Sequence, residues 1–184
     1  MTSNYLTTPE LEAGVENIRQ SPKDSGRLEL IVRRPAHNER DTLHEAELCL
    51  INGLVGDNWK ARGSTRMPDG VAHPDLQLTI MNARSAALIA GEKRLWGWAG
   101  DQLYIDLDLS GANIPAGTRL SIGTAVIEIT AEPHTGCKKF AARFGAEALQ
   151  FVNSPIGREL NLRGINARVV QPGTLRAGDV VKKV

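Results

Sequence analysis

Cysteine is almost missing from this sequence: only Cys49 and Cys137 occur among 184 residues. Two thiols cannot staple a disulfide-rich scaffold, and neither sits in a Cys-x-x-Cys or zinc-finger spacing. Aromatic residues make up 4% of the chain, too few to predict stacking platforms for single-stranded nucleic acid. Neither sign of charge dominates. Lys plus Arg number 22 against 21 Asp plus Glu, a formal charge of +1, which argues against a strongly basic nucleic-acid binder and an acidic tail. Long apolar runs are also lacking. No stretch approaches the roughly 20 residues of a membrane span, and the apolar-rich window Ala83–Ala90 is broken by Arg84 and Ser85. Residues 1–10 have neither the basic start nor the apolar core of a secretory signal. The expectation is a cytoplasmic protein with reduced thiols that binds neither membrane nor nucleic acid.

What is present is globular. Hydrophobic residues are 41% and charged residues 23%, and the length suits one domain. Gly and Pro cut the chain into pieces of about 6 to 12 residues, which favours many short strands. A helix is predicted near the start, capped by Thr8 with Pro9 in its first turn and stopped at Ser21-Pro22. Strands are predicted at Leu28–Val32, Glu45–Ile51 and Leu76–Ile80. Asn82 caps a short helix that Gly91 closes. Leu103, Ile105, Leu107 and Leu109 alternate with Gln102, Tyr104, Asp106 and Asp108, so the second set is predicted to face water. A strand pair surrounds Gly123, a helical stretch over Lys138–Phe151 is split at Gly145, and strands close the chain at Asn166–Val170 and Val180–Val181. Seven or eight strands and three helices fit a mainly β (α+β) barrel or sandwich, not parallel βαβ winding.

The informative segment is Glu132-Pro133-His134-Thr135-Gly136-Cys137-Lys138-Lys139. Pro133 ends a strand, Gly136 frees the backbone to turn, and Cys137 stands at a helix start, where unpaired N–H groups and nearby lysines favour a thiolate. The alternative is a small packed thiol. His134 can be a general base, a donor to a ligand, or a loop histidine in water. Cys49, inside an alternating strand, reads as packing. Arg62 and Arg66 lie in the Gly-rich segment Gly53–Gly70, and Arg163 and Arg168 flank Gly164-Ile165-Asn166. Arginine forks suit phosphate or carboxylate oxygens, although such residues are also ordinary surface charges. No Walker loop or Gly-x-Gly-x-x-Gly occurs, and no two histidines form a helix-spaced metal pair.

The ordered set Gly53-Leu54-Val55-Gly56-Asp57, Asp106-Leu107-Asp108-Leu109 with Asn113, Gly117-Thr118-Arg119-Leu120, the Cys137 segment, and Arg163-Gly164-Ile165-Asn166 with Gly173 and Gly178-Asp179 resembles the MOSC domain family. The family takes its name from the C-terminal domain of molybdenum-cofactor sulfurase. The resemblance covers residues 27–184 and leaves residues 1–26 as a helical extension. It implies a β-barrel with a few peripheral helices, akin to the barrel domain of pyruvate kinases. It places the family's functional cysteine at Cys137. There the thiolate either carries sulfur as a persulfide or ligates molybdenum of a pterin cofactor. His134 would tune the thiol, Lys138 and Arg143 would supply positive field, and Asn113, Thr135, Arg62, Arg66, Arg163 and Arg168 would hold the cofactor. Binding of molybdenum and of pyridoxal phosphate comes with the resemblance too. So do a cysteine desulfurase as sulfur donor or an electron-donor protein as partner. The chain departs from many members in having Gly100-Asp101-Gln102 in place of Gly-x-Asn, and Asn58-Trp59 where a histidine is common. The other function class is a non-catalytic module that binds an anionic small molecule or a partner protein.

Overall fold

A computed structural model describes residues 5–184. Its strands are β1 (Ser25–Arg33), β2 (Asp41–Leu43), β3 (Glu45–Cys49), β4 (Gly53–Leu54), β5 (Leu78–Asn82), β6 (Leu103–Asp106), β7 (Arg119–Ile122), β8 (Ala125–Ile129), β9 (Ile165–Gln171), β10 (Gly173–Arg176) and β11 (Val180–Lys183). Seven of them close a barrel in the order β1-β6-β5-β9-β8-β7-β11 and back to β1. β2 extends the far end of β1, and β3 lies between β4 and β10 in a separate small sheet. Closure leaves no open edge on the barrel strands that form it.

The barrel is filled from one face of each strand. Leu103, Ile105, Leu120, Ile122, Ile127 and Ile129 turn inward and are buried, each contributing about 1.5–3 kcal/mol of transfer free energy. In β1 the alternation breaks. A bulge between Leu28 and Leu30 lets Leu28 and Ile31, three positions apart, both enter the barrel, while Leu30 and Val32 point outward.

That outward face is where sequence and structure part. Gln102 and Tyr104, predicted to face water, are fully buried. The barrel's outer surface here is covered by α1 (Thr8–Ala13), α2 (Val15–Arg19), α4 (Ala83–Ala90), α5 (Lys138–Phe144) and α6 (Ala146–Asn153), with a 3₁₀ segment at Lys93–Ala99. A second apolar cluster fills the gap, built from Leu11, Met81, Tyr104, Phe140, Phe144 and Phe151. Tyr104 donates its hydroxyl proton to Trp96 O at 2.7 Å, and burial pushes its pKa upward. Only Asp106 and Asp108 of the predicted polar face keep partial exposure, and Asp106 pairs with Arg84 at 2.8 Å.

Other expectations shift by small amounts. The first helix is capped by Thr7, not Thr8, through a box with Glu10. Gly14 divides it into two. The Gly53–Gly70 segment is not all loop: it holds β4 and α3 (Trp59–Arg62). β5 and β6 run parallel and are joined through α4, so one right-sized β-α-β unit does occur. Asn82 caps α4, accepting from Arg84 N at 2.8 Å and Ser85 N at 3.0 Å. Its amide also donates to Ser21 Oγ and Leu107 O, which ties the N-terminal helices to the barrel. α7 (Pro155–Glu159) follows α6 and is capped by Ser154. Among the described residues, no helix is long and apolar enough to cross a membrane.

Candidate functional site

The sequence around Cys137 dictates a tightly held loop. After β8, Thr130 donates its hydroxyl proton to Asp75 O at 2.7 Å, and Asn166 Nδ2 donates to Glu132 O at 2.9 Å. Asn153 on α6 then clasps Gly136. Its Oδ1 accepts from Gly136 N at 2.9 Å and its Nδ2 donates to Gly136 O at 3.3 Å. A Cβ at Gly136 would lie 2.7 Å from Leu149 and 2.9 Å from Val152, so only glycine lets the loop press this closely on α6. Cys137 is the residue at the N-cap of α5, with extended backbone. It is exposed, and both cysteines are free thiols. Cys49 is half-buried at the end of β3.

Cys137 opens into a cleft of about 500 Å³, near the end of the barrel where β1 and β8 finish and β6 begins. That volume suits a small molecule. Among the described residues, the lining holds six arginines (Arg34, Arg40, Arg62, Arg66, Arg143, Arg163), Lys139, His37 and His134, and no carboxylate.

Two of these arginines are structural anchors. Arg34 is buried and forks onto Asp57, Nε to Oδ2 and Nη2 to Oδ1, both at 2.9 Å, while Nη1 donates to Gly100 O at 2.8 Å. Arg163, also buried, donates to Asp101 Oδ2 at 2.6 Å and Ala99 O at 2.8 Å, and its guanidinium lies over Phe140. Both carboxylates are wholly enclosed, so each pair is desolvated and geometrically fixed. Arg66 is neutralised by Glu132 at 2.8 Å. Arg40, Arg62, Arg143 and Lys139 have no ion pair among the described residues. Burial, followed by repulsion from Arg143 and Arg34, lowers the pKa of Arg40; burial and then Arg34 lower that of Arg62. Like charges are held together here, and an entering anion relieves their repulsion.

His134 is 17% exposed and meets Asp101 Oδ1 through Nε2 at 2.8 Å. Burial alone would raise the pKa of Asp101, but Arg163 and His134 outweigh it and hold the carboxyl at about 2. Burial first, then Arg163, lower the pKa of His134 despite the nearby Asp101. An ionised carboxylate only accepts hydrogen bonds, so Nε2 carries the imidazole proton and Nδ1 keeps its lone pair. Two buried polar atoms in the cleft walls lack protein partners among the described residues: Asn58 Oδ1, an acceptor, and Arg163 Nε, a donor.

Of the residues singled out in the sequence, the structure brings Arg62, Arg66, His134, Thr135, Cys137, Arg143 and Arg163 to this cleft. Asn113, Lys138 and Arg168 lie outside its lining. Asn113 binds Lys23 O, Asp108 O and Lys183 at the barrel's other elements. Arg168 is taken up by Glu128 and Asp75 on the barrel exterior. Lys138 is exposed at the first turn of α5, and it is the next residue, Lys139, that turns toward the cleft. Sequence reasoning missed Arg34, Arg40 and Asp101. The Arg33-Arg34-Pro35 end of β1 and the Gly100-Asp101 turn were the available signals, but only the folded chain brings them together.

A seven-stranded barrel with one exposed thiol at the mouth of a cationic cleft defines the class: a mainly β barrel domain built around a single accessible cysteine. The MOSC domain family model matches residues 68–182, and the chain belongs to that family. MOSC domains are related to the C-terminal domain of molybdenum-cofactor sulfurase, which connects the chain in general terms to molybdenum-cofactor and sulfur chemistry. Solved structures share the fold. The YuaD protein of Bacillus subtilis is 18% identical over 86% of this chain and 95% of its own, with a TM-score of 0.60. YiiM of Escherichia coli is 20% identical over 86% of this chain and 69% of its own, with a TM-score of 0.56. YiiM of Geobacillus stearothermophilus is 17% identical over 86% and 75%, also with a TM-score of 0.56. No curated protein matches the chain.

Proposed function

We propose that this protein handles molybdenum cofactor or sulfur through the Cys137 thiolate, with an anionic ligand held by the arginines of the cleft. The observation that carries this reading is the pairing of an exposed thiol with a cleft lined, among the described residues, by six arginines and no carboxylate.

The residues fit a pterin-type molybdenum cofactor in its chemical requirements. No group of three or more His, Cys, Asp or Glu that could hold a metal ion occurs among the described residues. A metal here would therefore draw most of its ligands from the cofactor and one soft sulfur from Cys137. Arg62 and Arg40, which have no ion pair among the described residues, would hold the phosphate. Asn58 Oδ1 and Arg163 Nε offer an acceptor and a donor to a polar ring. When bound, such a cofactor supplies two-electron redox chemistry at the metal. The chain's own contribution is to bind and orient the ligand and keep a neutral imidazole at hand. His134 Nδ1 can take a proton from a group in the cleft.

The same thiol suits sulfur transfer. The Cys137 thiolate attacks the terminal sulfur of a donor persulfide, such as that of a cysteine desulfurase. A new sulfur–sulfur bond forms on Cys137, the donor's bond breaks, and the donor leaves as a thiolate. His134 would hold or return the proton that moves with it.

Two measurements decide. The protein is produced in a host that makes molybdenum cofactor, alongside Cys137→Ser, and both are assayed for molybdenum and for persulfide labelling. Stoichiometric molybdenum lost in Cys137→Ser supports the cofactor form. Persulfide labelling lost in Cys137→Ser, without molybdenum, supports the carrier form. A wild-type protein that takes up neither, or a variant that labels and loads equally, overturns the reading and leaves a binding module.

A further inference from the structure

A second cavity adjoins the cleft and differs from it in chemistry. This groove, of about 450 Å³, is walled by Leu6, Leu88, Ile89, Leu95, Trp98 and Phe144, and Arg143 is the one charged residue that lines it among the described residues. Arg143 also lines the cleft. α5 therefore forms a continuous wall: Lys139, Phe140 and Arg143 face the cleft, then Arg143 and Phe144 face the groove. The rings of Phe140 and Phe144 are 5.0 Å apart, and Arg143 is the residue that lines both chambers.

Arg143 is fixed at the junction. Nη1 donates to Trp98 O at 2.7 Å, Nη2 donates to Asn38 Oδ1 at 3.2 Å, and the guanidinium lies over the Trp98 ring at 5.5 Å. Arg40 approaches the same indole at 5.8 Å. Trp98 is 39% exposed, whereas Trp59 and Trp96 are 6% and 7% exposed. This indole, partly in water between two cations and an aliphatic groove, sits where a ligand's charged and apolar ends would meet.

We propose that cleft and groove are two halves of one site for an amphipathic anion. The negative head rests on the unpaired cations of the cleft beside Cys137, and an aliphatic tail lies in the groove, with Arg143 and Trp98 at the junction. The inference rests on the cleft being an anion site, as proposed above, and adds the class of molecule that fills it. A protein partner fits less well. A stable protein interface needs roughly 800 Å² from each partner, whereas this groove is a short chamber that ends at a cation.

The test uses saturated carboxylates as probes. The intrinsic fluorescence of the protein, to which Trp59, Trp96 and Trp98 all contribute, is titrated with acetate, butyrate, hexanoate and octanoate at low salt, with octan-1-ol as the neutral control. Phosphate binding is followed by calorimetry. Affinity should rise with chain length, octanoate binding at least tenfold tighter than acetate and than octan-1-ol. Phosphate should compete with octanoate. Leu95→Gln should weaken octanoate at least fivefold and leave phosphate unchanged. The chain-length series on the wild-type protein stands even if the variant does not fold. Equal affinity for acetate and octanoate, with phosphate bound, overturns the composite site and leaves the cleft reading intact. Octan-1-ol binding as tightly as octanoate also overturns it, because head and tail are then not linked. Light scattering that shows a dimer, insensitive to octanoate, assigns the groove to a second copy and overturns it too. Binding of neither phosphate nor any carboxylate overturns this inference together with the cleft reading.

Discussion

The enclosed carboxylate of Asp101 holds the imidazole of His134 by a 2.8 Å hydrogen bond, and the charge on Asp101 decides which nitrogen of His134 carries the proton. Nitrogen-resolved NMR spectra at pH 7 should show His134 neutral, with its proton on Nε2. Asp101→Asn removes the anion and leaves the Arg163 guanidinium buried without its partner. An unpaired buried charge of this kind costs roughly 3–5 kcal/mol. The variant should lose that much in urea unfolding and should show a mixture of His134 tautomers. An unchanged tautomer with unchanged stability would remove Asp101 from the site's design.

The same pair sets a pH dependence with a definite sign. The folded pKa of His134 lies below its ordinary 6.5, so the unfolded chain takes up the proton first and stability falls as pH drops below about 6.5. Asp101 is held at about 2 against an ordinary 3.8. Its contribution, on the order of 2 kcal/mol, is present above pH 4 and is lost as pH falls toward 2. Unfolding midpoints measured from pH 8 to pH 2 should therefore decline in two stages. His134→Gln should flatten the upper stage and keep the lower one, since Arg163 still holds Asp101.

These relationships were only partly legible in the sequence. The strands were, because inward-facing Leu and Ile at every second position of β6, β7 and β8 leave a periodic trace; the choice of a barrel over a sandwich came only with the family resemblance. Cys137 was, because Pro133, Gly136 and the following lysines mark a loop that turns into a helix. The buried fate of Gln102 and Tyr104 was not. A polar-looking alternate face becomes core only when helices from both ends of the chain fold over it, and no local pattern encodes that. Arg34 and Asp57, or Arg163 and Asp101, are 23 and 62 residues apart, and nothing near either partner names the other. Adjacency to Cys137 along the chain points to Lys138, whereas an α-helix turns about 100° per residue and carries neighbours to different faces, so that Lys139 lines the cleft instead.

Two glycines separate scaffold from site. At Gly164, φ is +116°, and a Cβ would stand 2.2 Å from Ile80 O and 3.1 Å from the His134 ring. Gly164→Ala meets backbone that cannot yield, in a conformation L-residues avoid, and should destabilise by roughly 1–3 kcal/mol. Gly136→Ala meets the side chains of Leu149, Val152 and Asn153 and no backbone, and these can shift at smaller cost. Its main effect should be to displace Cys137. Thermal melts should rank Gly164→Ala as the less stable variant. The reaction rate of Cys137 with a thiol reagent should change in Gly136→Ala even where its melting curve resembles wild type.

The cleft's charge should show itself in which reagents reach Cys137. Arg40, Arg62, Arg143 and Lys139 carry positive charge that no carboxylate of the described residues neutralises. A dianionic aromatic disulfide is drawn into such a field and the dication cystamine is repelled, with each surface charge altering the encounter by about threefold at low salt. Cys137 should react faster with the anionic reagent than the half-buried Cys49 does. Arg62→Ala should slow the anionic reagent by about threefold and speed cystamine. Added salt should narrow the gap, because it screens exposed charges beyond about 10 Å at 0.1 M. The ratio of the two rates is the quantity to compare, since a change in the intrinsic reactivity of the thiol moves both rates together and cancels. A ratio that stays the same in Arg62→Ala and in high salt would mean that the arginines around Cys137 do not act on what approaches it.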